Sequence, residues 1–302
     1  MLQDLLVKTS RTFALAIPLL PEPTVHEVTV AYLLFRIADT FEDASVLWEK
    51  PQQQRALSEF VELMQEPSVA AAEVLVKRWL EDPPSEHAGY LELLANTPQV
   101  IAGHLSMSAA AQEVVTHHTM RTSIGMASVV ERTDADGVLR LDSVSEVQDY
   151  CYIVAGIVGE MLTDLFLLGR GHLELIADYL RERDAQFGEG LQLVNILKDS
   201  ADDTVEGRNY LPASIEKDKF FDLARRDLEA ATEYTLAIQE AGGPDGLVLF
   251  NGLPVELAWA TLKVVEEKGP GAKLTRPQVF AIHQRLQRAV SKGSPAVVPP
   301  DF

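Results

Sequence analysis

The stretch between residues 192 and 203 carries polar side chains at a spacing that could bind a metal ion. Read as an α-helix at about 100° per residue, it has one polar face, within roughly an 80° sector. That face carries Gln192, Asn195, Asp199 and Asp203. All four side chains offer oxygen ligands, which suit a hard cation such as Mg²⁺ that completes its shell with water and phosphate. Lys198 and Arg208 flank the acids, and we expect them to contact phosphate oxygens.

A second acid pair lies near the N-terminus, where Asp39 and Asp43 share a helical face with Arg36. One such pair proves little, because 45 acidic residues among 302 should give about seven i, i+4 pairs by chance. The run before Asp39 is too apolar for an ordinary solvent-facing helix, and a charge there is costly unless it is paired or bound to a metal. Two such pairs could face each other across a cavity and hold several Mg²⁺ ions on a diphosphate.

Both acid pairs belong to a set of sequence blocks that resembles a known family. Asp39 to Asp43 and Asp199 to Asp203 look like the two aspartate-rich motifs of the squalene and phytoene synthase family, the head-to-head prenyl transferases. The other matching blocks follow in the family's order, at Ser10–Ala14, Tyr150–Gly159, Asn195–Asp199 and Gly207–Pro212. Leu249–Ala258 is more typical of the squalene branch. The chain therefore looks most similar to the bacterial-type squalene synthases.

The resemblance implies an all-α protein with the isoprenoid synthase fold, in which a single helical domain surrounds a deep central cavity. We expect this domain to span residues 1–290, and we expect the Pro-rich tail at 291–302 to be disordered. The residues agree with an all-α class, because no segment shows strand alternation bounded by hairpin turns. Helical spacing predicts helices over about 24–46, 52–66 and 69–81.

The resemblance also implies roles for individual residues. The family tyrosine that matches Tyr150 faces the active centre and assists proton removal or stabilises a cation, and the implied catalytic residues are Tyr150, Asp39 and Asp199. The implied metal ligands are Asp39, Asp43, Asn195, Asp199 and Asp203. The implied contacts of the substrate diphosphate are Ser10, Arg11, Arg36, Gln192, Lys198, Arg208 and Tyr210. Lys273 and Arg276 resemble a basic segment that contacts the nicotinamide cofactor in squalene synthases.

A third acid pair, Glu160 and Asp164, departs from the family pattern. Asp164 lies within about 40° of Tyr150 on the helical wheel. One interpretation pairs these acids with an arginine such as Arg121, which would be a structural role. The other has them reshape the cavity and the choice of product. We favour the structural role.

Composition excludes some classes of function. The formal net charge is −19, and no basic stripe is present to neutralise a nucleic-acid backbone, so we expect no nucleic-acid partner. Cys151 is the only cysteine, which excludes an intrachain disulfide. The longest apolar stretch, Tyr150 to Gly169, is interrupted by two acids, so we expect no membrane span. The start lacks a signal peptide and the chain stops short of the C-terminal anchor of longer family members. We therefore expect a cytoplasmic protein, with peripheral membrane association as a further option because the product is apolar.

The sequence and the resemblance together predict a Mg²⁺-dependent head-to-head condensation of two farnesyl diphosphate molecules. The reaction would pass through presqualene diphosphate and end at squalene. The expected cofactors are Mg²⁺, which Mn²⁺ could replace, and NADPH as the reductant. Phytoene, dehydrosqualene and presqualene diphosphate synthases are alternatives within the family. The alternative from another class is a catalytically inactive family member that acts as a binding or assembly factor.

Overall fold

The computed structural model describes residues 1–10, 12–134, 137–205 and 210–300, with the backbone alone at 201–205. Every regular element in these residues is a helix, so the predicted all-α class is confirmed.

Contacts between residues divide the chain into two compact units. The first unit comprises residues 1–15 and 22–139, and the second comprises 16–21 and 140–302. The prediction of one domain over residues 1–290 stays a prediction.

The first unit is organised around a long apolar helix, α3. Its helices are α1 (Leu2–Thr9), α2 (Phe13–Ala16, whose last residue belongs to the second unit), α3 (Thr24–Glu42), α4 (Lys50–Gln65), α5 (Val69–Trp79), α6 (Ala88–Ala95), α7 (Thr97–Leu105) and α8 (Ala109–Arg132). Because α3 contacts α1, α4, α6, α7 and α8, its apolar side chains are buried on nearly every side. The helix ends at Glu42, where a 3₁₀ turn (Asp43–Val46) begins, so it is shorter than the predicted helix over 24–46.

An aromatic core fixes the end of α3. The ring of Phe41 lies 4.8 Å from Trp79, 6.0 Å from Trp48 and 6.3 Å from Phe60, measured between ring centroids. All four side chains are buried, and such ring pairs are stabilised beyond the area that they remove from water. Phe41 lies between Asp39 and Asp43 in the chain, so this packing holds the acidic turn in place.

The second unit is organised around α13. Its helices are α9 (Val144–Cys151), α10 (Ile157–Leu167), α11 (Gly171–Glu174), α12 (Ala177–Arg181), α13 (Asp184–Val205), α14 (Lys217–Glu240), α15 (Asp245–Lys268) and α16 (Arg276–Ser291). A π-helical turn (Tyr152–Gly156) joins α9 to α10, and a 3₁₀ turn (Ile17–Leu19) packs on α15. Because α13 contacts α9, α10, α14, α15 and the π-helical turn, only part of its surface stays open.

Glycines let α13 pack against the backbone of its neighbours. A Cβ atom placed on Gly188 would lie 1.9 Å from the carbonyl oxygen of Ala155, and one on Gly159 would lie 1.8 Å from that of Asp184. Neither position can therefore hold a side chain without moving a helix. This close approach fixes the position of the π-helical turn along the axis of α13.

The C-terminal stretch makes ordered contacts. The side chain of Gln239 donates to the carbonyl oxygen of Ser294 (2.8 Å) and accepts from the amide of Ala296 (2.9 Å). Glu256 accepts from the amide of Val298 at 3.0 Å, and the side chain of Val297 is buried. Apolar side chains and two polar clamps thus hold residues 294–298 on α14 and α15. The disorder predicted for 291–302 as a whole stays a prediction.

Among the described residues, two helical stretches are long and apolar enough to cross a membrane by length and composition. They are Val144–Leu167 and Asp245–Lys268. Of their most apolar windows, 61 % and 67 % are buried within the protein. Buried core helices have the same length and composition, so these stretches are weak evidence for a membrane span.

Candidate active site

The first candidate site is an acid cluster at the end of α3, formed by Asp39, Glu42 and Asp43. One carboxylate oxygen from each residue lies within 4.8 Å of the other two, and all three side chains are half-buried. Three oxygen donors at this separation could hold a hard divalent cation. Asp39 and Asp43 were predicted as ligands, whereas Glu42 was not. Its signal was in the sequence, since a residue at i+3 from Asp39 shares the same helical face.

Arg36 lies directly beside this cluster. Its guanidinium forms an ion pair with Asp39, and its Nη2 donates to the hydroxyl of Tyr32 at 3.4 Å. The guanidinium carbon also lies 5.7 Å from the ring centroid of Tyr32 and 5.5 Å from that of Tyr90, within cation-π range. Its Nε is buried and has no hydrogen-bond partner among the described residues. Burial opposes the charge of Arg36, but Asp39 and the two phenols outweigh it and raise the pKa above its ordinary value.

Ser10 and Arg11 were predicted to contact the substrate diphosphate. Ser10 Oγ accepts a hydrogen bond from the amide of Phe13 at 2.9 Å, so the serine caps the start of α2. The hydroxyl of Tyr32 donates to the carbonyl of Thr9 at 2.9 Å, which ties the residue before Ser10 to the aromatic wall beside Arg36. The structure thus brings Ser10 close to Arg36 through Tyr32. Arg11 lies outside the described residues.

The second candidate site is the polar face of α13. Leu193, Val194, Ile196 and Leu197 are buried, while Gln192 and Asp199 are half-buried and Asn195 is exposed, as the predicted face requires. The Lys198 ammonium lies 3.1 Å from Asn195 Oδ1 and 3.0 Å from an Asp199 carboxylate oxygen. The structure therefore brings together a carboxylate, an amide oxygen and a cation. The side chain of Asp203 and all of Arg208 lie outside the description.

Tyr150 and Tyr210 meet in the second unit. The Tyr150 hydroxyl donates to the Tyr210 hydroxyl at 3.1 Å, and the two rings stack with centroids 4.7 Å apart and planes 25° from parallel. Both side chains are buried. Tyr210 was predicted as a diphosphate contact, which stays a prediction; its hydroxyl oxygen accepts the hydrogen bond from Tyr150. Sequence spacing could not reveal a pair of residues sixty positions apart.

The proposed nicotinamide-binding residues lie on a loop that touches α13. The amide of Gly271 donates to the carbonyl of Lys198 at 2.7 Å. Gly269 and Gly271 adopt φ angles of 85° and 84°, which favour glycine, and they shape the loop that leads to Lys273. Lys273 is exposed, and so is Arg276 at the first position of α16. The loop is thus held against the helix that carries Asp199.

Glu160 and Asp164 have defined partners. Arg181 Nη2 donates to Asp164 at 2.9 Å, and the hydroxyl of Tyr152 donates to Glu160 at 2.9 Å. The favoured interpretation, in which an arginine pairs with this acid pair, therefore holds for Asp164, whose arginine is Arg181.

Three further acids of the second unit have raised pKa values, and the sequence did not single them out. Burial raises the pKa of Asp184 to about 6, although the amide of Ala185 opposes the shift. Burial, followed by the charge of Asp227, raises the pKa of Glu189 to about 7. Burial also raises the pKa of Asp227 to about 6, partly offset by Arg226. The sequence could not show that these three acids are buried, and on an exposed helix the same residues would be ordinary solvated acids.

Comparison with known proteins gives one consistent result. The family model described as squalene/phytoene synthase matches residues 6–241. The squalene synthase of Mycosarcoma maydis is 30 % identical over 288 residues, which cover 91 % of this chain and 48 % of that protein. The squalene synthase of Saccharomyces cerevisiae is 29 % identical over 215 residues, covering 70 % and 45 %. The chain thus spans about half the length of the curated relatives that it matches.

Solved structures show the same fold. A complex of TcSQS with the ligand BPH1237 matches with a TM-score of 0.75 at 22 % identity, covering 97 % of this chain and 87 % of that one. A dehydrosqualene synthase in complex with a ligand matches with a TM-score of 0.57 at 16 % identity, covering 96 % and 95 %. At these identities the likeness concerns the fold, and it confirms the predicted helical architecture.

Proposed function

Because the chain belongs to the squalene/phytoene synthase family, we propose that it condenses two farnesyl diphosphate molecules head to head. The reaction passes through presqualene diphosphate and ends at squalene, with Mg²⁺ as the metal and NADPH as the reductant. The chain's own acidic residues and the names of its relatives support this choice of reaction.

The observation that carries the proposal is the acid cluster of α3 with Arg36 beside it. Its three carboxylates offer only oxygen, which fits Mg²⁺ better than a metal that prefers sulfur or imidazole. Bound Mg²⁺ would neutralise charge on the leaving diphosphate and so promote ionisation of the allylic carbon-oxygen bond. Arg36 keeps its charge beside the cluster and has a buried, unpaired Nε, so it can donate to a diphosphate oxygen.

The polar face of α13 would hold a second group of metal ions and the diphosphate. Asp199, with Asp203 and Asn195, supplies oxygen ligands on one face. Lys198 already contacts Asn195 and Asp199, and its flexible ammonium can turn to a phosphate oxygen as a point charge. Arg208 and Gln192 complete the predicted contacts with the diphosphate.

Tyr150 would act at the proton step. Ionisation of the first substrate gives an allylic cation, which the double bond of the second substrate attacks. Loss of a proton then closes the cyclopropane ring, and Tyr150 would assist this loss; burial of its phenol supports the role, because a site that excludes water protects the cation. NADPH would supply the hydride of the reductive last step, and Lys273 and Arg276 offer cations for its phosphates.

The neighbouring branches of the family are the main alternatives. Dehydrosqualene synthase is represented among the similar structures, although with a lower TM-score than TcSQS. The block Leu249–Ala258 favours the squalene branch. An inactive binding or assembly factor would be expected to lose its metal ligands, whereas this chain keeps both aspartate pairs.

Product analysis tests the proposal. The chain is incubated with farnesyl diphosphate and Mg²⁺, with and without NADPH, beside Asp39→Asn and the control Asp222→Asn, which neutralises an exposed acid. We expect squalene only with NADPH, no product from Asp39→Asn, and wild-type turnover from the control. Presqualene diphosphate or dehydrosqualene regardless of NADPH would assign the chain to a neighbouring branch. An active, folded Asp39→Asn variant would contradict the metal assignment.

We also propose that the protein is cytoplasmic and works close to a membrane, because squalene is apolar. Flotation with neutral phospholipid vesicles tests the association. Protein that stays at the bottom of the gradient, with or without product present, would contradict it.

A further inference from the structure

Tyr150 and Tyr210 form a closely packed phenol pair. Tyr150 lies in the last turn of α9, and 5 % of its surface is exposed; for Tyr210 the value is 8 %. The hydroxyl-to-hydroxyl distance is 3.1 Å, and the rings stack at 4.7 Å. A stack and a hydrogen bond between the same two side chains restrict both the ring plane and the hydroxyl direction of Tyr150.

The backbone that carries Tyr150 is fixed as well. The π-helical turn (Tyr152–Gly156) starts two residues later, and such turns are frequent at functional sites. Gly188 of α13 packs against the carbonyl of Ala155 inside this turn. Since α13 also carries Asn195 and Asp199, this contact sets the position of Tyr150 relative to the predicted metal ligands of the same helix.

The direction of the hydrogen bond determines what Tyr150 can offer a substrate. A phenol has one O–H donor and accepts at its oxygen. Because the donor of Tyr150 is directed at Tyr210, the group that it presents elsewhere is an acceptor oxygen. Donation to Tyr210 also increases the electron density on that oxygen, which makes it a better acceptor for a proton or a better neighbour for a cation.

We propose that Tyr210 is a positioning residue that acts through Tyr150. Tyr210 orients the Tyr150 phenol so that its oxygen accepts the proton lost when the cyclopropane ring closes, while the O–H proton of Tyr150 moves to the Tyr210 oxygen. The diphosphate released in the ionisation takes up the net proton. This role rests on the proposed condensation of farnesyl diphosphate. The diphosphate contact that the motif implied for Tyr210 stays a prediction beside this role.

A double-mutant cycle tests the role. The variants Tyr150→Phe, Tyr210→Phe and the double variant keep both rings, and pyrophosphate release is measured with farnesyl diphosphate and Mg²⁺. Tyr210→Phe should lower kcat by about tenfold with KM within about twofold of the wild type. The double variant should be no slower than Tyr150→Phe alone, because one residue acts through the other. A raised KM at unchanged kcat, or losses that multiply, would overturn the proposal.

A spectroscopic readout separates this proposal from the reaction itself. With ¹³C at Cζ of the seven tyrosines, the Tyr150 resonance is identified by its loss in Tyr150→Phe. It should shift in Tyr210→Phe and stay in place in the control Tyr179→Phe, whose ring is exposed on α12. An unmoved Tyr150 resonance would refute the hydrogen bond. If the wild type turns over neither farnesyl nor geranylgeranyl diphosphate, the proposed function and the positioning role of Tyr210 are both overturned. If the wild type is active and Tyr210→Phe has the same kinetics, only the positioning role is overturned.

Discussion

Replacing Asp227 with asparagine should stabilise the fold, and the gain should grow as the pH rises. Asp227 lies on α14 with 1 % of its surface exposed. Gly190 of α13 packs against it so closely that an added Cβ would lie 3.1 Å from the Cβ of Asp227. Arg226 Nε approaches a carboxylate oxygen at 3.5 Å, which is a long contact. Burial therefore raises the pKa of Asp227 to about 6, and Arg226 offsets the effect only in part.

The size of the effect follows from the difference between the folded and the unfolded pKa. The ordinary value is 3.8, so the folded chain holds this proton more tightly than the unfolded chain. The stabilisation by the protonated carboxyl is complete at pH values below the unfolded pKa and is lost as the pH rises through about 6. At about 1.36 kcal/mol per pKa unit, the loss reaches about 3 kcal/mol at pH 8. Roughly half of it is already present at pH 5. Asparagine has nearly the same shape as aspartate and does not ionise. The free energy of unfolding of Asp227→Asn should therefore exceed that of the wild type by these amounts.

Urea unfolding at pH 5, 6, 7 and 8 measures the free energy of unfolding of both proteins. The control is Asp222→Asn on the same helix, where 76 % of the side chain is exposed and the carboxylate pairs with Arg225 at 2.8 Å. Between pH 5 and pH 8, Asp227→Asn should gain more stability over the wild type than this exposed-site variant does. Parallel curves for Asp227→Asn and the wild type would refute the reasoning, since they would mean that the folded pKa is not raised.

Three further predictions follow from other contacts. Glu42→Gln should raise the Mg²⁺ concentration for half-maximal turnover by about tenfold or more, because it removes one charge from the acid cluster of α3; an unchanged Mg²⁺ dependence would exclude Glu42 from the metal site. Gly271→Ala should weaken NADPH binding, measured by fluorescence titration, more than Gly269→Ala does. Both glycines have similar positive φ angles, but only the amide of Gly271 is hydrogen-bonded to the carbonyl of Lys198. Equal losses of affinity would mean that backbone strain alone explains both effects. Gln239→Ala should lower the free energy of unfolding by about 2 kcal/mol and increase amide hydrogen exchange at 294–298, because it removes two hydrogen bonds to that stretch; unchanged exchange would contradict the clamp.

Local spacing predicted much of this architecture. The helices expected over 52–66 and 69–81 are found at Lys50–Gln65 and Val69–Trp79. Asp39 and Arg36 share a face because residues three apart on a helix are neighbours, and their ion pair follows from that geometry. The resemblance to the family, in contrast, depended on the order of several motifs along the chain and not on the spacing within any one of them.

Contacts between distant segments could not be predicted in the same way. Tyr90 lies 54 positions after Arg36 and still provides one of the two rings beside its guanidinium. The stacking of Tyr210 on Tyr150 likewise joins two residues sixty positions apart. The disorder expected for the C-terminal stretch rested on its proline content, and the clamp by Gln239 depends on a helix turn more than fifty residues earlier.

Two groups can be distinguished among the half-buried and buried carboxylates of the residues that the structure describes, and only one of them suits a metal ion. Asp39 and Asp199 each lie beside a cation, Arg36 and Lys198, and near other oxygen donors. Asp184, Glu189 and Asp227 instead have raised pKa values, because burial outweighs the groups that oppose it. A metal ligand must be deprotonated, so a carboxyl that keeps its proton close to neutral pH binds a divalent cation at an added cost.

The second group therefore marks a stability cost rather than a second metal centre. After burial, the charge of Asp227 is the next cause of the raised pKa of Glu189. Neutralising Asp227 should accordingly lower the pKa of Glu189, and a carboxyl ¹³C titration of the Asp227→Asn variant measures that shift directly. A Glu189 pKa that stays at about 7 would mean that the charge of Asp227 does not contribute to it. The two acids would then be independent costs, and the pH dependence of stability would be the sum of separate titrations.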